Sequence, residues 1–169
     1  ENLVRLINSN LRESYDTTQF FWSSLQINVN TIADPHRDSG NIGLSAYVLM
    51  GELTGGALWI RDDESLKGLS FQDVPQTHSA KTTNFDARNT WLVFDGHYCH
   101  QSLSYSLQKK PIPSELLGLR KPMRLSIVAF MHETASLATH SQWQTLRDYG
   151  FNIPFGPAQG LQPCYYKRS

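Results

Sequence analysis

The sequence predicts a mainly β fold, a sandwich or a barrel, formed by a single domain over residues 1–169. Short runs of β-branched and aromatic residues alternate with Gly, Pro, Asn and Asp over most of the chain, which is typical of such folds. A length of 169 residues with 40% apolar residues suits one domain with a sizeable core. Helical spacing is confined to one stretch near the start and one toward the end.

The elements are predicted in chain order as a helix, a series of strands and a second helix. Apolar residues at helical spacing predict the first helix over residues 2–13. Six strand-like runs follow, at residues 20–32, 44–53, 56–60, 90–96, 100–106 and 124–133. The polar interval 61–83 and the proline-punctuated interval 107–122 are predicted to be surface loops. The β core therefore covers about residues 19–134, and residues 135–169 supply the second helix, with Ser141 as its cap and Gly150 as its end, and an extended tail.

Charge and cysteine content narrow the class of protein. Residues 1–97 carry 7 Lys/Arg against 12 Asp/Glu, and residues 98–169 carry 8 against 3. The basic half could dock an anionic partner such as nucleic acid, through Lys109, Lys110, Arg120 and Lys121 on one loop, although clustered basic residues also form ordinary solvated surfaces. Two cysteines make no disulfide framework, and neither a signal peptide nor a membrane span is visible. We therefore expect an intracellular protein, nuclear or cytoplasmic, without a membrane partner; its oligomeric state stays open.

A histidine and an aspartate two positions apart, His36 and Asp38, are the first candidates for chemistry. If this segment begins or ends a strand, positions i and i+2 point to the same face, so the imidazole and the carboxylate would converge. The alternative is an exposed polar turn, because both residue types are common in turns. A third ligand downstream would favour the metal interpretation.

Two histidines compete for that third position about sixty residues later. His97 follows the turn signal Asp95-Gly96, whereas His100 opens an alternating run with Ser102 and Ser104 on its own face. We therefore predict His100 as the ligand and His97 as a turn residue near the metal. Together with His36 and Asp38 this makes two histidines and one carboxylate, a set that holds Fe(II) on one face and leaves the remaining positions open.

Arg124 and Ser126 lie two apart on the last apolar strand. A guanidinium and a hydroxyl on the same face suit a carboxylate, because the arginine fork pairs bidentately and the hydroxyl adds a donor. The alternative is an arginine at the strand edge that reaches solvent. Next to the predicted metal ligands, the pair favours a dicarboxylate co-substrate.

The order HRD, FDGHYCH and RLSIVAF on a β-rich chain resembles the Fe(II)/2-oxoglutarate-dependent oxygenases over about residues 19–134. The resemblance implies a double-stranded β-helix, or jelly roll, with a few flanking helices. It also implies that His36, Asp38 and His100 are catalytic residues that hold iron, and that Arg124 and Ser126 bind 2-oxoglutarate. The activity implied is oxidation of an unactivated C–H bond.

A narrower resemblance concerns PHRDSGNIG, together with GGALWI and VFDGHYCH. These motifs look like the TET/JBP branch, whose members oxidise the methyl group of 5-methylcytosine or thymine in nucleic acid. In that branch a polar residue three positions after the aspartate hydrogen-bonds the flipped base, and Asn41 stands at this position. An amide suits a base edge because it offers a donor and an acceptor. The alternative is that Asn41, between two glycines, makes a turn.

Three functions remain open at this stage. The first is the nucleic-acid oxygenase, the second is a prolyl-hydroxylase-like hydroxylase of a protein side chain or small molecule, and the third is a cupin-like binding module without catalysis. Ascorbate could act as reductant or replace 2-oxoglutarate, as in some relatives of the branch. Five aromatic residues are candidates for the pocket wall or for base stacking, with core packing as the alternative: Trp22, Tyr47, Trp59, Trp91 and Phe94.

Overall fold

The structure is a computed structural model that describes residues 2–14, 20–62, 81–108 and 123–153. Within these ranges the chain is mainly β with two α-helices, as the sequence predicts. The helices are α1 (Leu3–Ser14) and α2 (His140–Tyr149). The strands are β1 (Ser24–Val29), β2 (Asn41–Met50), β3 (Leu53–Gly55), β4 (Leu58–Asp62), β5 (Lys81–Phe85), β6 (Leu92–Phe94), β7 (Cys99–Ser102), β8 (Tyr105–Leu107) and β9 (Leu125–His132).

The strands form two principal antiparallel sheets. The larger sheet has the order β1-β9-β2-β6, and the smaller has the order β5-β4-β7. An antiparallel bridge between His36 and His100 adds one more chain segment beside β7, and β3 pairs with β8. From β1 onward the chain crosses repeatedly between the two sheets, with β4 and β5 as a consecutive pair in the smaller one. Each sheet has four segments when the His36 bridge is included. This two-sheet arrangement is a jelly roll, which confirms the predicted fold class.

Helix α1 covers the outer face of the larger sheet. Its buried residues Ile7 and Leu11 pack with Trp22, whose side chain is fully buried. The indole Nε1 of Trp22 donates to Asn8 Oδ1 at 2.9 Å. The Trp22 and Phe151 rings make a T-shaped contact, with 4.8 Å between their centroids. The predicted spacing of the helix is thus confirmed, and the helix leaves the opposite face of the sheet free for the site.

The space between the sheets is lined by both apolar and polar side chains. Tyr47 and Leu49 of β2 meet Leu58 and Ile60 of β4 in a buried cluster. Polar groups lie beside this cluster, because Ser126 is the register partner of Leu49 and Arg124, just before β9, donates to the Tyr47 hydroxyl. The residues of β9 that line the space are Ser126, Val128 and Phe130. Side chains alternate along a strand, so the intervening residues Ile127 and Ala129 pack outward with α1.

Two strand predictions were wrong in detail. The run 100–106, expected to be one strand, divides into β7 and β8, which belong to different sheets. Strand β5 begins at Lys81, inside an interval expected to be a loop. Residues 63–80, 109–122 and 154–169 lie outside the described residues, and with them the rest of both predicted loops, their basic cluster and the predicted tail. Among the described residues, neither helix is long and apolar enough to cross a membrane.

The N-cap of α2 lies two residues before the predicted cap, Ser141. Thr139 is the cap, and its Oγ1 accepts from the backbone N–H of Gln142 at 3.3 Å. The Gln142 side chain returns the contact, accepting from the Thr139 N–H at 2.7 Å, which completes a capping box. The predicted end is confirmed, because Gly150 adopts the left-handed conformation with φ of 98°.

We expect Thr139→Ala to lower the free energy of unfolding by about 1 kcal/mol, because it removes one side of the capping box. Ser141→Ala is the matched control, since it removes the predicted cap and leaves the observed one. Urea denaturation of both variants measures the difference. Equal losses in the two variants would contradict the assignment of the cap to Thr139.

Candidate metal centre

Three predicted ligands come together between the two sheets. One ligand atom from each of His36, Asp38 and His100 lies within 4.8 Å of the others. The Nε2 atoms of His36 and His100 are each 3.7 Å from an oxygen of the Asp38 carboxylate, Oδ1 and Oδ2 respectively. Two imidazoles and one carboxylate in this spacing could hold a metal ion on one face.

The backbone fixes this arrangement. His36 and His100 exchange two backbone hydrogen bonds, of 3.0 and 2.9 Å, and the centroids of their rings lie 4.3 Å apart. Asp38 N–H donates to the carbonyl of Gly96 at 2.9 Å, which attaches the aspartate to the turn before β7. His36 and Asp38 therefore converge through a single bridge, and not through the strand on which their prediction depended.

Hydrogen bonds select the tautomer of both histidines. His36 Nδ1 lies 2.7 Å from the carbonyl oxygen of Asp34, and His100 Nδ1 lies 2.8 Å from that of Tyr98. A carbonyl can only accept, so in each neutral ring Nδ1 carries the proton and Nε2 presents a lone pair. Burial lowers the pKa of His100, which also favours the neutral ring. The hydrogen bond to the Tyr98 carbonyl opposes this shift.

Exposure falls steadily across the three residues. The side chain of His36 is 43% exposed, that of Asp38 is 24% exposed and that of His100 is 6% exposed. A molecule from solvent would therefore approach on the His36 side, while His100 and the T-shaped contact of its ring with Phe94 close the inner side.

Gly96 leaves the space that the Asp38 carboxylate occupies. A Cβ at position 96 would lie 2.7 Å from Asp38 Oδ2 and 3.1 Å from Asp38 Cβ, both closer than normal contacts. The side chain of Asp38 is the group that would have to move. Glycine at this position therefore preserves the orientation of the carboxylate toward the two imidazoles.

We expect Gly96→Ala to weaken Co(II) binding at least about tenfold, in the range seen when groups supporting metal ligands are lost. The three ligands remain, so the loss would come from displacement of the carboxylate. Titration of the metal-free protein with Co(II), followed by absorption, measures it, and thermal unfolding of the metal-free variant is the control. Wild-type affinity in Gly96→Ala would contradict a carboxylate ligand held against this glycine.

The competing histidine, His97, faces a different partner. Its Nδ1 lies 2.8 Å from Asp95 Oδ1, which also accepts the His97 backbone N–H at 3.0 Å. His97 is not part of the group of potential metal ligands found among the described residues. This placement fits the predicted role of a turn residue near the metal.

The three ligands open onto a cavity of about 270 Å³, close to the lower limit of small-molecule pockets. Both sheets line it. Besides the ligands, its lining includes Gln26, Asn28, Asn41, Tyr47, Phe94, Ser102, Arg124, Ser126 and Phe130. All six predicted site residues therefore face one cavity.

Arg124 lies in this cavity with a side chain that is 1% exposed. Its Nη1 donates to the carbonyl of Thr31 at 2.7 Å and lies 3.4 Å from Ser126 Oγ. Its Nη2 donates to the Tyr47 hydroxyl at 2.9 Å, and its Nε has no partner within the described ranges. No described carboxylate pairs with this guanidinium. Among the described residues this buried cation contacts neutral groups alone, and such a group could pair with an anion.

Tyr47 contacts Arg124 from another strand, and no sequence pattern indicates this contact. Burial raises the pKa of Tyr47, while the charge of Arg124 opposes the shift, so the phenol keeps its proton near neutral pH. A donating hydroxyl beside the guanidinium could give a bound anion one more hydrogen bond. Of the other aromatic candidates, Phe94 lines the cavity, Trp22 and Trp91 belong to the core under α1, and Trp59 is half-buried on β4.

Asn41 begins β2 at the edge of the cavity. Its Nδ2 donates to Asp38 Oδ2 at 3.0 Å and to Ser45 Oγ at 3.2 Å. The amide is therefore engaged with a predicted metal ligand, a contact that the sequence analysis did not include.

The chain has little similarity to characterised proteins. No family model and no curated protein matches it. One solved structure that it resembles is described as an oxidoreductase of the 2OG-Fe(II) oxygenase family from Burkholderia pseudomallei, with 18% sequence identity and a TM-score of 0.38. The match covers 63% of this chain and 41% of that structure. A likeness this weak assigns neither family nor activity to this chain.

Proposed function

We propose that this protein is an Fe(II)- and 2-oxoglutarate-dependent oxygenase that oxidises a C–H bond. One observation carries the proposal: two tautomer-selected imidazoles and a carboxylate share a small cavity with a buried guanidinium that has no described counter-ion. A facial set of two histidines and one carboxylate is typical of non-haem Fe(II) oxygenases. The guanidinium supports the second part of the proposal, because it would allow the same cavity to bind an anionic co-substrate beside the metal ion.

The donor set suits a divalent iron ion. His36 and His100 would contribute Nε2 and Asp38 a carboxylate oxygen, and Gly96 leaves room for that carboxylate. Three protein ligands leave coordination positions for other molecules. When bound, iron together with 2-oxoglutarate and oxygen supplies the oxidising power for the C–H bond, and the protein supplies position and a sheltered cavity.

The far side of the cavity suits the distal carboxylate of 2-oxoglutarate. Arg124 would pair with it, and the hydroxyls of Tyr47 and Ser126 would add hydrogen bonds. The carboxylate would also neutralise a charge that is otherwise buried alone among the described residues. Ascorbate has no carboxylate to offer this cation. We therefore propose that ascorbate acts as a reductant rather than as a replacement for 2-oxoglutarate.

For the substrate, we propose the methyl group of 5-methylcytosine or thymine in nucleic acid. The cavity bears amide side chains on its exposed side, Gln26 and Asn28 on β1 and Asn41 on β2. Amides provide the donors and acceptors that match a base edge, and Phe130 offers a ring nearby. In Asn41 the carbonyl Oδ1 is the atom left to meet a base, because Nδ2 already donates to Asp38 and Ser45.

A hydroxylase of a protein side chain or small molecule is the alternative within the same chemistry. It uses the same ligands and the same anion site, and it differs only in what meets the exposed side of the cavity. A cupin-like module that binds without turnover is the alternative outside it.

The test is conversion of 2-oxoglutarate to succinate by the Fe(II)-loaded protein, with and without ascorbate. Methylated DNA, RNA, peptides and small molecules are offered in parallel, and the products are identified by mass spectrometry. We expect methylated oligonucleotides to stimulate succinate formation and to gain oxygen. Asp38→Ala is the inactive control.

Each other outcome has a definite meaning. Stimulation by peptides or small molecules alone would favour the hydroxylase alternative. Turnover with ascorbate and none with 2-oxoglutarate would exclude the proposed co-substrate. Metal binding without turnover under any condition would leave the binding module as the function.

A further inference from the structure

Among the described residues, the Asn41 side chain donates a hydrogen bond to the Asp38 carboxylate. We infer that Asn41 is a positioning residue of the metal centre, whose amide holds Asp38 in its ligating orientation. The inference rests on the metal centre proposed above and gives Asn41 a role that does not require contact with substrate.

The direction of the hydrogen bond is determined by chemistry. An ionised carboxylate can only accept, so the amide must present Nδ2, and not Oδ1, to Asp38 Oδ2 at 3.0 Å. The neighbouring imidazoles present lone pairs to the same carboxylate and cannot donate to it. Within the described residues, Asn41 is therefore the side chain that donates to Asp38.

Asn41 is itself held by a buried residue. Its second contact is to Ser45 Oγ at 3.2 Å, and Ser45 is fully buried. Four residues of regular strand span roughly 13 Å, too far for an asparagine and a serine to meet. A β-bulge between Ile42 and Ala46, with Gly43 at a φ of 75°, brings the two side chains together. Bulges beside active sites commonly redirect side chains in this way.

These two hydrogen bonds link the core to the proposed metal ligand in two steps. The buried Ser45 hydroxyl fixes the Asn41 amide, and the amide fixes the Asp38 carboxylate, with Gly96 on the other side. The carboxylate is consequently held between an amide and a glycine before any metal arrives. Loss of the amide would allow it to rotate away from the two imidazoles, which would weaken metal binding.

The test is Co(II) affinity, measured on metal-free protein by absorption without co-substrate or substrate. We expect Asn41→Asp and Asn41→Ala each to weaken binding about 10- to 100-fold, with an altered Co(II) spectrum. Ser45→Ala keeps the contact to Asp38 but removes its anchor, so its loss should be smaller. Asn84→Asp, on the exposed side of β5, is the matched control and should bind as wild type does.

Asn41→Asp separates positioning from substrate reading, because it retains an acceptor for substrate while it loses the donor to Asp38. Wild-type Co(II) affinity and spectrum in both Asn41 variants would overturn the inference. Failure of the wild-type protein to bind Co(II) would instead overturn the proposed metal centre, and the inference with it. Thermal unfolding of the metal-free variants identifies any loss that arises from misfolding.

Discussion

Replacing His100 with alanine should abolish metal-dependent turnover. His100 is the most buried of the three proposed ligands, and it comes from β7, whereas His36 and Asp38 come from one short segment. Its loss leaves two protein ligands, and water is a poor replacement for the imidazole nitrogen. Asp38→Ala and His36→Ala should be equally inactive. Metal content after desalting and succinate formation under saturating 2-oxoglutarate are the measurements.

His97→Ala is the comparison that gives this result its meaning. His97 has the same residue type, lies three positions away and contacts Asp95 rather than the proposed ligands. We expect it to keep bound metal and measurable turnover. An inactive His97 variant beside an active His100 variant would show that the wrong histidine has been assigned to the metal.

Arg124→Lys should raise the KM for 2-oxoglutarate at least about tenfold and leave the metal content unchanged. Lysine keeps the charge but loses the planar fork, which here is already oriented by Thr31 and Tyr47. Because the guanidinium is not a metal ligand, binding of the co-substrate should suffer before binding of the metal. Initial-rate kinetics in 2-oxoglutarate, with metal analysis of the same samples, separate the two effects.

Tyr47→Phe provides a graded comparison. It removes one hydroxyl beside Arg124 and keeps the ring, so its KM should rise less than that of Arg124→Lys. An unchanged KM in Arg124→Lys would mean that another cation binds the co-substrate, or that the co-substrate is not a carboxylic acid.

The fold could be predicted because most of its strands have a recognisable local sequence pattern. The runs that became β1, β2, β4, β6 and β9 are rich in β-branched and aromatic residues, and α1 has clear helical spacing. Strand β5 was missed because KTTNF is mostly polar, and its pairing with β4 depends on a neighbour distant in the sequence. The cap of α2 was misplaced because Thr139 and Ser141 are equivalent by composition, and only the reciprocal contact of Gln142 distinguishes them.

The candidate site residues were selected mainly from short local patterns in the sequence. Arg124 and Ser126 are separated by two, and alternation along a strand places them on one face. His36 and Asp38 have the same spacing, but a single bridge to His100, and not a strand, positions them. The parts that were missed are contacts across the fold. Tyr47 reaches Arg124 from another strand, and Gly96 meets Asp38 from the turn before β7. No local pattern in the sequence specifies such contacts.

The bulge in β2 limits how this part of the sequence can change in length during evolution. Between Ile42 and Ala46 the strand advances four residues while its partner β9 advances two, from Met131 to Ala129. Strand β2 therefore has two residues more than β9 across the bulge. Because this number is even, Asn41 before the bulge and Tyr47 after it both face the cavity. Insertion or deletion of a single residue would turn the side chains on one side of the bulge to the opposite face of the sheet. It would thereby separate the proposed metal ligands from the core. Among homologous chains, length differences at this position should therefore come in pairs of residues.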